Sequence, residues 1–366
     1  MTGTPAPGSD RVTVAVVFGG RSTEHAISCV SAGSVLSALD PTKYDVIPVG
    51  ISTSGAWSLQ SADPERLAIR GGVLPSVDET GPSLSVVADP TQRGMSEVLR
   101  DVDVAFAVLH GPWGEDGTVQ GLFELAGIPY VGSGVFASAA AMDKGHMKAM
   151  FRSADLPLGN YAVITDAAWR VNRSDVLHGF ESLTFPVFVK PARAGSSLGI
   201  TKVHDVADLE KAIENARTHD PRVIVEAAIE GAREIECGVL AGPDGTPEVS
   251  VCAEIVVSAD HEFYDFEAKY LDDAVDLAVP ALLSKSATKR VRAIALEAYN
   301  VLGCEGLARV DFFVRGEDVL INELNTMPGF TPTSMFPLVW SHSGVDYPTL
   351  VDRLIADALR RGTGLR

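Results

Sequence analysis

Arg309-Val310-Asp311-Phe312-Phe313 and, a short turn later, Ile321-Asn322-Glu323-Leu324-Asn325-Thr326-Met327-Pro328-Gly329 hold the residues best suited to chemistry. Apolar and polar residues alternate in both runs, which predicts two short strands with Arg309, Asp311, Glu323 and Asn325 projecting from one face of a hairpin. Two carboxylates and an amide oxygen, with no His or Cys among them, are hard ligands suited to magnesium, which shares itself with nucleotide phosphates. The chemistry so implied is phosphoryl transfer. An Asp or Glu taken alone is an ordinary solvated side chain on a half-exposed strand. The four residues at one parity, ended by a Met-Pro-Gly turn able to bring backbone N–H groups toward a ligand, argue instead for a site.

Such a hairpin needs a scaffold, and 366 residues suffice for two or three domains. A hydrophobic content of 46% and a charged content of 21% describe an ordinary globular protein. The net charge of −18 argues against a nucleic-acid surface and against an anionic membrane as partner, so an anionic substrate must meet local cations. Cys29, Cys237, Cys252 and Cys304 are far apart with no C-x-x-C, which predicts reduced core thiols and neither zinc nor a disulfide framework. No run of apolar residues is long enough to cross a bilayer, and Met1 to Asp10 reads as a frayed tail rather than a secretion signal, so a cytoplasmic protein is expected.

Val12 to Phe18 is a β-branched run ending in Gly19-Gly20; Glu24 to Leu39 has helical composition and Tyr44 to Ile51 reads as a strand, together a βαβ opening of a parallel sheet. A further strand at Val102 to Leu109 leads to His110-Gly-Pro-Trp-Gly-Glu-Asp-Gly117 and a helix from Thr118 to Ala126. The stretch Gln60 to Met95 is irregular, a surface excursion. A second unit begins near Met142, with a helix opened by Asp143-Lys144, a strand Pro186 to Lys190, a helix near Val206 to Arg217 and a strand Arg222 to Glu226. The third unit, from Gly231, carries strands at Glu234 to Leu240 and Ser250 to Val256, a helix from Lys285 to Leu302, the hairpin, and a last helix from Tyr347 to Leu359. The expected domains are 11–141, 142–230 and 231–366 after the tail 1–10, in a mixed α/β fold.

Three loops could serve the hairpin. Lys190-Pro-Ala-Arg-Ala-Gly195-Ser196-Ser197-Leu198-Gly199 follows a strand with small residues that let N–H groups close around phosphate, and a Lys for charge; it is neither a Walker loop nor a dinucleotide fingerprint, and by itself it describes a plain turn equally well. Glu226-Ala-Ala-Ile229 could set its backbone against an adenine edge while Glu234 reaches ribose hydroxyls. Gly19 to Glu24 lies beyond the carboxyl end of the first strand, where open α/β sheets bind ligands, although Thr23-Glu24 could equally be a helix cap and first-turn acid.

Taken together and in this order, these motifs make the chain resemble the ATP-grasp D-alanine–D-alanine ligases over nearly its whole length. The resemblance is carried by His110 to Gly117, Gly195 to Gly199, Phe263-Tyr264-Asp265-Phe266 with Lys269-Tyr270, Gly306-Leu-Ala-Arg309-Val-Asp311, and Asn322-Glu323-Leu-Asn325-Thr-Met-Pro-Gly329. It implies an ATP-grasp fold, an N-terminal open α/β domain followed by central and C-terminal ATP-grasp domains. It also implies ATP-driven joining of two D-alanines through an acyl phosphate, for peptidoglycan precursors. Lys144, Lys190, Ser196 and Ser197 would hold phosphates, with Glu226, Ile229 and Glu234 at adenosine; a longer turn before Glu234 leaves Glu236 as the other candidate for the ribose.

The resemblance further implies that Asp311, Glu323 and Asn325 hold two Mg2+ ions, and it admits Mn2+ in their place and activation by K+. Glu24 would pair with the ammonium of the first D-alanine, with His110 assisting. Arg309 and the Gly329 N–H would stabilise the tetrahedral oxyanion, and Ser334 with Lys269 would hold the second carboxylate. Tyr270, in a covering loop of about 262–280, would hydrogen-bond with Ser196 and Glu24; relatives that make D-alanyl-D-lactate have His there, so Tyr270 favours a dipeptide. A homodimer is implied too. Ligation to D-lactate or D-serine, and a relative that binds nucleotide without catalysis, are the alternatives.

Overall fold

The computed structural model describes residues 11–85, 101–180, 183–195, 198–257, 275–364 and 366. Three sheets organise them. In the first, β1 (Val12–Gly19) runs parallel to β2 (Tyr44–Ile51) on one side and to β4 (Val104–Ala107) on the other, and β3 (Trp57–Leu59) closes one edge antiparallel to β2. Helix α1 (His25–Ala38) is the crossover from β1 to β2. The unbroken β-branched run of β1 follows from burial on both faces: Val14, Val16 and Phe18 enter one core and Ala15 and Val17 another. The sharp exit from β1 requires glycine, because Gly19 has φ +89° and a Cβ there would fall 2.3 Å from the Ile51 carbonyl oxygen.

After α2 (Thr118–Ala126) come two consecutive helices, α3 (Val135–Met142), which the sequence reading missed, and α4 (Lys144–Ser153), which it expected. Asp143 separates them, its Oδ1 accepting from the N–H groups of Gly145 and His146 as the N-cap of α4. The second sheet has order β5-β8-β6-β7, from β5 (Tyr161–Ile164), β8 (Val223–Ala227), β6 (Val187–Pro191) and β7 (Thr201–Val203). Short helices α5 (Asp166–Val171) and α6 (Arg173–His178), and then α7 (Leu209–Arg217), accompany it; Leu209, Ala212, Ile213 and Ala216 form the buried stripe of α7.

The third sheet, order β11-β10-β9-β12-β13, joins β9 (Arg233–Ala241), β10 (Pro247–Val257), β11 (Val275–Ala278), β12 (Leu307–Arg315) and β13 (Asp318–Asn325), all antiparallel. Helix α8 (Lys285–Leu302) covers one face, capped by Ser284 Oγ at its start and by left-handed Gly303 at its end. Val291, Ala295, Ala298 and Leu302 of α8 meet Val310, Phe312, Ile321 and Leu324 there, and Met147 and Phe151 of α4 join the same core. Helices α9 (Met335–Ser341) and α10 (Tyr347–Arg361) bring Phe336, Trp340, Leu350 and Leu354 back against Val14, Val16 and Phe18, so the first and third sheets share a core. The second sheet keeps a separate one, around Trp169, Val189 and Ile213. The four cysteines are buried and unbridged, and among the described residues no helix is long and apolar enough to cross a membrane.

Candidate active site

Strands β12 and β13 pair so that Arg309 lies opposite Asn325 and Asp311 opposite Glu323. Val310, Phe312 and Val314 are buried toward α8, and the alternate residues face a cleft of about 350 Å³ between the sheets. The predicted polar face is therefore present, but not on a regular strand. The register shifts between the Asp311–Glu323 and Phe312–Ile321 pairs, leaving Asn322 as the extra residue of a β-bulge.

Arg309 is held at its root. Its Nε and Nη2 donate to the two Asp311 oxygens at 2.8 and 2.7 Å, and Nε is 3.0 Å from Glu236 Oε2 on neighbouring β9. Burial opposes its charge, but Asp311 and Glu236 outweigh burial and raise the guanidinium further above its already high range. Asn325 Nδ2 donates to Asp311 Oδ2 at 3.2 Å. Among the described residues no three His, Cys, Asp or Glu side chains cluster as a metal cage. Two carboxylates and an amide still fit magnesium, which keeps waters and takes its remaining ligands from nucleotide phosphates; a half-turn of the Asn325 amide presents its oxygen beside Asp311.

The wall opposite comes from α4 and the second sheet. Lys144 Nζ donates to the Ala194 carbonyl at 3.1 Å and stands 3.5 Å from Glu323 Oε2. Lys190, at the end of β6, is 2.7 Å from Glu226 Oε2 on β8, and Lys148 is 2.7 Å from Glu226 Oε1. Burial would raise the Glu226 carboxyl, yet the Lys148 and Lys190 ammoniums hold it far below the usual carboxylate range. Likewise burial pulls Lys190 down, but Glu226 and Glu323 more than offset this and its ammonium titrates above the ordinary range. The loop after β6 is anchored where Arg193 grips buried Asp220 through Nε and Nη2 at 2.9 and 2.7 Å. Phe188, Ile229 and Glu234 line the same cleft, while Glu236 is committed to Arg309. The N–H groups of Ala227 and Ala228 are already bonded to the Asn160 and Pro186 carbonyls.

The first sheet contributes loops. Glu24 precedes α1 but its side chain makes no capping hydrogen bond. Its carboxylate turns instead toward two glycines: a Cβ on Gly111 or on Gly195 would fall 2.5 Å from Glu24 Oε2. The loop of the second sheet thus presses directly on an acid of the first. His110 is buried and lines the cleft, with Nδ1 3.0 Å from the Met327 carbonyl and 3.8 Å from Glu115, and Nε2 3.2 Å from Ser31 Oγ. Burial lowers its pKa, but Glu115 and Glu24 outweigh burial and leave it raised. With both ring nitrogens engaged, His110 braces the Met327-Pro-Gly turn. Gly329 ends that turn, and Ser334 lies beside it: a Cβ on Gly329 would be 3.1 Å from Ser334 Oγ, which itself meets Thr331 Oγ1 at 2.8 Å.

The cleft brings together Glu24, His110, Lys144, Lys190, Glu226, Ile229, Glu234, Arg309, Asp311, Glu323, Asn325 and Gly329. Ser334 stands just behind Gly329. Ser196, Ser197, Lys269 and Tyr270 lie outside the described residues, as does 262–274 of the expected covering loop; Val275–Ala278 of that loop is the edge strand β11. Sequence reasoning missed Lys148, Glu115, Phe188 and the pairing of Glu236 with Arg309. Lys148 carried a signal, one helical turn after Lys144. Glu236 shares the parity of Glu234.

Comparison with known proteins agrees with this geometry. Residues 13–133 match the family described as D-ala D-ala ligase N-terminus, and residues 150–356 match D-ala D-ala ligase C-terminus. The chain is 53% identical over 369 residues to a D-alanine–D-alanine ligase of Rhodococcus opacus (97% of this chain, 99% of the relative). It is 55% identical over 385 residues to one of Frankia casuarinae (97% and 98%). Among solved structures, the D-alanine–D-alanine ligase from Coxiella burnetii superposes with a TM-score of 0.81 at 32% identity, covering 96% of this chain and 95% of that one. The VanG D-Ala:D-Ser ligase from Enterococcus faecalis does so with 0.83 at 37%, covering 95% and 99%. Matched along both halves and across the whole fold, the chain belongs to the D-alanine–D-alanine ligase family, with its ATP-grasp architecture.

Proposed function

We propose that the protein uses ATP to join two molecules of D-alanine, giving D-alanyl-D-alanine, ADP and phosphate, as a cytoplasmic step toward peptidoglycan precursors. The observation that carries this reading is the meeting of one acid, Glu24, with the Arg309–Asp311–Glu323–Asn325 face and with Lys144 and Lys190 around a single cleft. Such a constellation suits an amino acid and a nucleotide triphosphate held end to end.

Glu24 pairs with the ammonium of the first D-alanine and directs its carboxylate at the γ-phosphate. A carboxylate oxygen bonds to that phosphorus as the ADP oxygen leaves, and the product is an acyl phosphate. Lys144 and Lys190 hold the phosphates, Phe188 and Ile229 offer apolar walls to adenine, and Glu234 takes the ribose. Asp311, Glu323 and Asn325 hold two Mg2+ ions, which neutralise charge on the transferring phosphoryl oxygens when bound. The deprotonated amine of the second D-alanine then attacks the carbonyl carbon, and phosphate leaves with the former carboxylate oxygen. Arg309 and the Gly329 N–H face the oxyanion that exists only after this attack, so they act on the transition state more than on the bound substrates. Ser334 and Lys269 hold the second carboxylate, Ser196 and Ser197 cover the phosphates, and Tyr270 joins Glu24 and Ser196; the working unit is a homodimer.

A competition assay tests the reading. With ATP, Mg2+ and equal D-alanine, D-serine and D-lactate, D-alanyl-D-alanine should dominate the products, and phosphate release should require D-alanine. Release driven by L-alanine alone would refute the activity. Predominant D-alanyl-D-serine would refute the choice of acceptor, and a shift to D-alanyl-D-lactate as pH falls would reveal a hydroxy-acid acceptor, because an amine must lose its proton first.

A further inference from the structure

Glu323 faces the cleft only because β13 is bulged. In an unbroken strand, Ile321 and Glu323 would share a face, and Ile321 is buried toward α8. The extra residue Asn322 resets the alternation, placing Glu323 opposite Asp311. A bulge residue stands outside the regular ladder, so something must hold its backbone.

Helix α4 does so from two successive residues. Lys148 Nζ donates to the Asn322 carbonyl at 2.7 Å, and the Leu324 N–H donates to Met147 Sδ at 3.3 Å. The same ammonium reaches Glu226 Oε1 at 2.7 Å, and Glu226 Oε2 reaches Lys190. Lys148 is only 3% exposed. An ammonium in such a place is tolerated only with strong acceptors, and it has two, a carboxylate and a backbone carbonyl. Lys144, one turn earlier on the same helix, is the more open of the two, with its side chain 16% exposed against 4% for Lys148.

We propose that Lys148 is a positioning residue for the metal site: by holding the Asn322 carbonyl it fixes the bulge that turns Glu323 toward Asp311. This rests on the reading of Asp311, Glu323 and Asn325 as metal ligands. The Lys148 ammonium is engaged by Glu226 and by the Asn322 carbonyl, and its part in the site is played through the latter.

The test is Mn2+ binding to the protein–ADP complex, followed by electron paramagnetic resonance of the free ion, for the parent, Lys148→Met and Lys148→Arg. ADP affinity in EDTA, by calorimetry, and thermal unfolding accompany it. Lys148→Met should weaken Mn2+ by about 10- to 100-fold, the scale for losing a group that orients a metal ligand. Its metal-free ADP affinity should stay within about threefold, under 1 kcal/mol. Lys148→Arg keeps charged donors for both acceptors and should restore most of the Mn2+ affinity. Should Lys148→Met fail to fold, Lys148→Gln, one bond too short to reach the carbonyl, takes its place with the same expected loss. Unchanged Mn2+ affinity in the folded variant overturns the role, whatever its melting temperature, and so does an equal loss of metal-free ADP affinity. A parent complex that binds no Mn2+ overturns the metal reading and this inference with it; a parent that binds while Lys148→Met binds equally overturns this inference alone.

Discussion

The first and third sheets deliver their side chains to the cleft in different ways. The third uses the face of its strands: Arg309, Asp311, Glu323 and Asn325 are set by ladder register, so each is fixed by backbone pairing on at least one side. The first uses the loops beyond its strand ends, where Glu24 and His110 are placed by close glycine approach and by bonds to other loops. A strand face supplies a rigid array of charge, whereas loops let an acid from one sheet meet a backbone from another. Bringing the carboxylate of an amino acid to the terminal phosphate of a nucleotide calls for both.

The largest effect should come from the strand face. Arg309→Ala should leave ATP affinity nearly intact and lower turnover by about two to three orders of magnitude, the scale for losing an oxyanion donor. Steady-state kinetics check this, and a rate within a few-fold of the parent would end the oxyanion role. On the loop side, Gly195→Ala puts a methyl 2.5 Å from Glu24 Oε2. Overpacking of about 1–3 kcal/mol should appear as roughly a ten- to hundredfold loss in kcat/KM for D-alanine. If ATP binding suffers instead, the loop answers to the nucleotide and not to Glu24.

A smaller effect depends on pH. The pKa of His110 is raised above its ordinary 6.5, burial being outweighed by Glu115 and Glu24. A raised histidine stabilises the fold fully below its unfolded value, and that contribution fades as pH rises through the higher folded value. Glu115→Gln should therefore lower the melting temperature more at pH 6 than at pH 9; an equal drop at both would remove the histidine from the explanation. The smallest effect is expected at Trp113, in the same loop as His110, where φ is +67° and the Arg21 guanidinium lies 4.7 Å from the ring centre. Trp113→Gly relieves backbone strain and loses the cation–π contact, two terms of about 1 kcal/mol that nearly cancel. Thermal unfolding checks it, and a large destabilisation would give the loop a packing role it does not show.

How much was legible in the sequence follows the same division. The hairpin was readable because a half-buried strand writes its faces in alternation, and α8 and α10 because their buried stripes recur with helical period. The bulge at Asn322 was not, since a single extra residue leaves no mark in composition. Nor was the helix Val135–Met142, whose run of alanines has no polar face to set its period. The grip of Lys148 on Glu226 and Asn322 spans 78 and 174 residues of sequence, beyond any local pattern. The family resemblance implied a role for Glu24 that local sequence left level with helix capping; its turn away from a capping role appears only when Gly111 and Gly195 arrive from other parts of the chain.

The central claim is that a carboxylate oxygen of the first D-alanine bonds to phosphorus before the peptide bond forms. D-Alanine labelled with 18O in its carboxylate, turned over with ATP and Mg2+, tests this by mass analysis of the released phosphate. The account predicts one labelled oxygen in phosphate for each D-alanyl-D-alanine made. Dipeptide formed together with unlabelled phosphate would contradict it.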